Sequence, residues 1–115
     1  MELVLAQSRE PFAAALDGLV AQHGWTYRQL AYLTGLSAGY LAHLRRGDRP
    51  APRDEMIERI AARLRVSPSY FLEYRVRQVA RLLTAQPEML DYVYERLAHE
   101  QEAHTREAAQ LALAV

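Results

Sequence analysis

Between positions 24 and 47 the chain is punctuated so tightly that little freedom of fold is left there. Thr26 and Gln29 have the spacing of a capping box, in which the threonine accepts a first-turn amide and the glutamine reaches back. Trp25 and Leu30 flank them as a hydrophobic staple. Gly35 follows nine residues after that cap, Ser37 stands ready to cap again, and Leu36 and Leu41 are placed as its staple. Gly47 then ends the second run. The pattern predicts two short helices, one from about Tyr27 and one over 38–46, joined by a tight turn.

On either side the period stays helical. Phe12, Leu16, Leu19 and Val20 recur on one face of a first helix over about 8–23, which Gly24 ends. The two prolines of residues 48–52 make that stretch a connector. Asp54 and Glu55 open a fourth helix, where the dipole favours acids, with Ile57, Ile60, Ala61 and Leu64 on its apolar face. Ser67 and Pro68, with Val66 and Phe71 as staple, predict the start of a fifth, along which Val76, Val79, Ala80 and Leu83 continue. A last helix begins at Pro87 and carries Met89, Leu90, Val93 and Leu97. No strand signal and no internal repeat interrupt this, so the expected class is all-α. The 115 residues suit one domain with an appendage, drawn here as 8–72 and 73–115.

Composition narrows the function. Without cysteine there is no disulfide framework, thiolate metal site or cysteine nucleophile. The opening Met1–Gln7 has neither a basic flank nor a long apolar run, and no segment approaches the roughly 20 apolar residues of a membrane span. A cytoplasmic protein is expected. The carboxylates are scattered over helix surfaces, the serines sit at caps, and no nucleophile elbow or phosphate loop appears, so no enzymatic activity is expected. His99 and His104, five apart, do not share a helix face and make poor metal ligands. No metal, cofactor or small-molecule ligand is expected.

The zero net charge hides a dipole. All fourteen basic residues are arginine. Residues 25–53 hold five of them against one acid, whereas 86–115 hold two against six. A basic segment on a neutral chain is what local phosphate binding needs.

Two short helices joined by a glycine-containing turn define a helix-turn-helix. With Ala31 small at the helix crossing, and Leu30, Gly35, Ser37, Leu41, Gly47, Pro52 and the closing run 66–71 in phase, the chain resembles the lambda-repressor-like, or XRE, helix-turn-helix family over about Pro11 to Phe71. Tyr27 and Arg45 stand where that family commonly has glutamine and glutamate. The run from Tyr40 through Leu44, Arg45, Gly47 and Arg49 to Pro52 looks instead like an actinobacterial, EspR-like branch of it. The resemblance implies a five-helix domain whose third helix enters the major groove of double-stranded DNA. Base readout then falls on Ala38, Gly39, Tyr40, His43 and Arg46, and phosphate contact on Tyr27, Arg28, Ser37, Arg45, Arg49 and Arg53. Ala38 and Gly39 have no polar side chain, so modest sequence specificity is expected.

Beyond Phe71 an apolar stripe of Leu72, Val76, Val79, Leu83, Leu90, Val93 and Leu97 continues at helical spacing and needs a partner. The expectation is a homodimer contact, with folding back onto the domain as the other way to cover it. The expected function is a nucleoid-associated transcriptional regulator. The alternative is a protein-interaction module or antitoxin-like protein that keeps the same fold.

Overall fold

The computed structural model describes residues 7–114; Met1–Ala6, within the stretch read above as lacking a leader, and Val115 lie outside them. The described residues form six α-helices and one 3-10 turn, with no strand. The helices are α1 (Phe12–His23), α2 (Tyr27–Thr34), α3 (Ala38–Arg46), α4 (Asp54–Leu64), α5 (Leu72–Thr84) and α6 (Pro87–Leu113). The all-α expectation holds.

Two helix starts differ from the sequence reading. α1 begins at Phe12 rather than Ser8, because the Ser8 hydroxyl accepts the Glu10 amide at 3.1 Å and Pro11 is still extended at ψ 155°. Its cap is instead supplied from far along the chain: Glu73 accepts the Phe12 amide at 2.9 Å. The fifth helix is broken at its start. Ser67 caps only a 3-10 turn, Pro68–Tyr70; Phe71 then turns extended at ψ 131°, and the α-helix begins at Leu72. That break lets Phe71 bury completely, its ring 4.6 Å from that of Phe12.

The core lies where four helices meet. α3 packs on α1 and α2, and α4 packs on the same two. Leu16, Leu30, Leu41, Leu44, Ile57, Ile60 and Leu64 are fully buried there, and Tyr74 of α5 adds the last wall. The predicted capping box is present, with Thr26 accepting from the Gln29 amide and Gln29 from the Thr26 amide at 2.7 Å. Ser37 accepts the Tyr40 amide at 3.0 Å. Gly35 sits at φ 75° between the two helices, a left-handed backbone that an L side chain adopts only with strain. Beside it Thr34, the buried polar residue of the turn, donates to the Leu30 carbonyl at 2.7 Å and accepts the Leu36 amide at 3.3 Å. A buried hydroxyl is tolerated because both of its roles are used.

Two arginines of α5 serve as staples. Arg75 donates to the carbonyls of Ser8, Ser69 and Tyr70 at 2.7, 2.8 and 2.9 Å. Arg77 donates to the carbonyls of Pro52 and Ala51, and pairs with Asp54 at 3.1 Å. Each saturates backbone acceptors of a connector that has no ladder of its own to bond them.

Backbone packing divides the chain into a compact unit that ends at Gln78 and another that begins at Val79. In the second, α6 has 27 residues and none is buried. No helix of the described residues is long and apolar enough to cross a membrane.

α4 ends on Arg65 at φ 59°, a non-glycine residue in the left-handed region. Two substitutions test this account of the fold by chemical denaturation. Phe71→Ala is expected to cost about 3 to 5 kcal/mol, as for other buried aromatics. Arg65→Gly is expected to leave stability unchanged or raise it by up to about 1 kcal/mol, because the strain of a left-handed L residue is relieved.

Candidate nucleic-acid interface

With Leu41 and Leu44 buried, α3 leaves Ala38, Gly39, His43, Arg45 and Arg46 open to solvent in varying degree. Tyr40 is half-buried and packs against the core. It also lines an open cleft of about 590 Å³ with Ser37, Arg49, Arg53 and Arg59. The fold thus brings together four of the predicted contact residues, Ser37, Tyr40, Arg49 and Arg53. The Ser37 side-chain oxygen is already an acceptor for the Tyr40 amide, and its O–H remains as a donor.

The predicted arginines are not equally free. Arg45 lies over the Tyr27 ring at 4.8 Å and its Nε is 3.5 Å from Asp17 of α1. The Tyr27 hydroxyl donates to the same carboxylate at 3.0 Å. Burial, then that hydrogen bond and the Asp17 charge, push the Tyr27 phenol above its ordinary range, while Arg45 pulls the other way. Arg46 donates through Nε to Asp48 at 2.9 Å and through a terminal nitrogen to His43 Nδ1 at 3.1 Å. His43 Nδ1 also lies 3.5 Å from Asp48. The Arg46 hydrogen bond leads in holding Asp48 below the usual carboxylate range; desolvation opposes it and His43 assists. Arg53 is 3.7 Å from Glu55. Among the described residues, Arg28 and Arg49 have no acid partner.

Asp17 and Asp48 are the site residues that sequence reasoning missed. For Asp48 a signal existed, since it follows Arg46 by two positions and was counted as the one acid of the basic segment. Asp17 gave none, because its partners Tyr27 of α2 and Arg45 of α3 come near it only through tertiary packing on α1.

The residues predicted to join two copies are exposed or half-buried. Leu72, Leu83 and Val93 are half-buried, and Val76, Val79, Leu90 and Leu97 are exposed. Leu82, Met89, Tyr92, Tyr94, Leu111 and Leu113 are large exposed apolar residues outside that set.

The Tyr27 environment sets an alkaline limit. A phenol whose folded pKa is raised contributes stability that is intact below its unfolded pKa of about 10 and is lost as pH rises beyond it. Denaturant midpoints are therefore expected to fall above about pH 10, and Tyr27→Phe to flatten that fall. An unchanged profile in Tyr27→Phe would show that the phenol is not raised by its burial and its bond to Asp17.

Comparison with known proteins places this geometry. Residues 19–71 match the family model HTH_3, described as helix-turn-helix. No curated protein gives a significant match. Among solved structures, an HTH_3 family transcriptional regulator from Vibrio cholerae is 27% identical over 68% of this chain, with a TM-score of 0.48. This chain spans 37% of the length of that regulator. The clp gene regulator ClgR from Corynebacterium glutamicum is 30% identical over 69% of this chain and 82% of its own, also with a TM-score of 0.48. On the family match, residues 19–71 form a helix-turn-helix domain of the HTH_3 family.

Proposed function

We propose that this chain is a DNA-binding transcriptional regulator that acts on the nucleoid as a homodimer, with α3 lying in the major groove. The observation that carries the reading is the open side of α3 on a helix-turn-helix frame, where Tyr40 shares a cleft with Ser37, Arg49 and Arg53 and the His43 side chain is 43% exposed. Tyr40 and His43 read bases, while Arg28 and Arg49 bind phosphates from the outset. Arg45 and Arg53 join them when a phosphate displaces Asp17 or Glu55, since exposed ion pairs hold by only about 0 to 1 kcal/mol. Ala38 and Gly39 supply close approach rather than hydrogen bonds, and specificity is modest.

The second unit supports a second copy. α6 would extend about 40 Å at the usual helical rise, and none of its residues is buried. A two-fold contact through Leu90, Val93 and Leu97 covers the stripe and presents two recognition helices to one duplex. A second reading, an interaction module whose main partner is protein, is favoured by the ion pairs that already neutralise Arg45, Arg46 and Arg53.

Salt separates the two. If Arg28 and Arg49 of two protomers each neutralise one phosphate, affinity for a random-sequence duplex falls about a hundredfold between roughly 50 and 200 mM salt. A change of less than about threefold would favour the protein partner. His43→Ala and Tyr40→Ala are expected to flatten discrimination between duplexes, and Arg28→Ala and Arg49→Ala to weaken all of them alike.

The dimer has its own check in sedimentation at micromolar concentration. The wild-type chain is expected to run as a dimer, and the triple variant Leu90→Asp, Val93→Asp, Leu97→Asp as a monomer. A monomeric wild type would remove this interface.

A further inference from the structure

We propose that Asp48 and Arg46 form a positioning pair that fixes the neutral His43 ring with its proton on Nε2, so that His43 reads a guanine edge as a hydrogen-bond donor. The inference rests on the DNA-binding reading above and adds to it the base that α3 selects.

The argument begins at the end of α3. Gly47 takes a left-handed backbone at φ 76°, and the Asp48 amide turns back to donate to the His43 carbonyl at 3.1 Å. This Schellman-like closure sets the Asp48 side chain beside the last helical turn. His43 and Arg46 are three residues apart and share a face of that turn. Arg46 bridges the two, with Nε–H on Asp48 at 2.9 Å and a terminal N–H directed at His43 Nδ1 at 3.1 Å.

A guanidinium has only donors. The ring nitrogen it faces must therefore accept, which leaves the proton of a neutral imidazole on Nε2. The opposite arrangement, Nδ1–H donating to Asp48, would use the longer 3.5 Å contact and aim an N–H at the arginine donors. Asp48 does not need it, since its Oδ2 already receives the Arg46 Nε–H. Among the described residues Nε2 has no hydrogen-bond partner, and the side chain keeps 43% of its exposure.

An outward N–H selects acceptors. In the major groove guanine shows two, N7 and O6, whereas cytosine shows only a donor, adenine sets a donor beside its one acceptor, and thymine sets a methyl group beside its one acceptor. The neighbouring Arg46 cation strengthens the preference for a two-acceptor edge. Arg46, expected from the sequence to read bases itself, is by this account a positioning residue that acts through His43.

Two measurements on the full chain test this. Nitrogen-15 NMR of the histidine rings at about pH 8 is expected to show His43 unprotonated at Nδ1 and protonated at Nε2, with the Arg46→Ala variant shifting to a mixture of tautomers. Duplexes selected from a random library by the wild-type chain are expected to carry guanine at the position where His43→Ala loses its preference. Substituting 7-deazaguanine there is expected to weaken wild-type binding about fivefold or more, and to leave His43→Ala unaffected. Arg46→Ala and Asp48→Asn are expected to lose the same preference, circular dichroism confirming that each variant folds. A proton on Nδ1, any base other than guanine at that position, or an Arg46→Ala variant that keeps full guanine preference would overturn the inference while leaving DNA binding intact. A wild-type chain that binds no duplex would overturn the DNA-binding reading and this inference with it, an outcome the NMR measurement, made without DNA, keeps distinct from a wrong tautomer.

Discussion

The complete burial of Leu41 and Leu44 decides what α3 can show to a partner. They sit on one face of a nine-residue helix and seat it on α1 and α2, so the helix can neither roll nor slide without exposing a fully buried leucine. Losing either side chain would cost about 2 to 5 kcal/mol, a large share of the stability of a small domain. The turn before it is held as firmly. Gly35 supplies the left-handed residue and Thr34 bonds on both sides of it, so α2 and α3 meet at an angle set by covalent geometry and one buried hydroxyl. His43 and Arg46 project as they do because of what their neighbours bury.

Arginine serves two different purposes in this chain, and counting it by segment conflates them. Arg75 and Arg77 donate five hydrogen bonds to backbone carbonyls and fasten α5 to the N-terminal segment and to the connector after α3. A lysine would not replace them, because the guanidinium is a fixed fork of donors that reaches several carbonyls at once. The arginines of 25–53 are surface groups, some paired with a nearby acid and others unpaired. Only the unpaired ones and those whose acid is easily displaced contribute to an external electrostatic footprint.

Local chemistry was legible in the sequence and long-range closure was not. The Thr26–Gln29 box, the Ser37 cap and the turn at Gly35 depend on residues within four positions of one another, and each is found as expected. The core residues of α4, and those of α1 apart from Ala15, followed from helical period alone. What failed to show were contacts that topology creates. Glu73 caps α1 from 61 residues away, Arg75 reaches Ser8 across 67, and Asp17 gathers Tyr27 and Arg45 from two other helices. The start of the fifth helix misled for a related reason. Ser67 and Pro68 are a sound local start signal, but the demand that Phe71 bury against Phe12 overrides it after one 3-10 turn.

On the proposed reading, the acids of the interface lower affinity for every duplex and leave discrimination to the base contacts. Asp17 and Asp48 each hold a predicted contact residue in place, and each sets a carboxylate where phosphates would approach. Such exposed pairs are individually weak, so a phosphate releases Arg45 at little cost, and the Asp17 carboxylate then remains as a modest repulsion against any duplex while Asp48 stays with Arg46. That repulsion acts on all sequences equally. A correct base edge under His43 offsets it through a contact that no other sequence makes, and specificity is a difference of affinities. A recognition helix that opens with Ala38 and Gly39 has few polar contacts with which to favour its own site, so on this reading its discrimination rests on Tyr40 and His43.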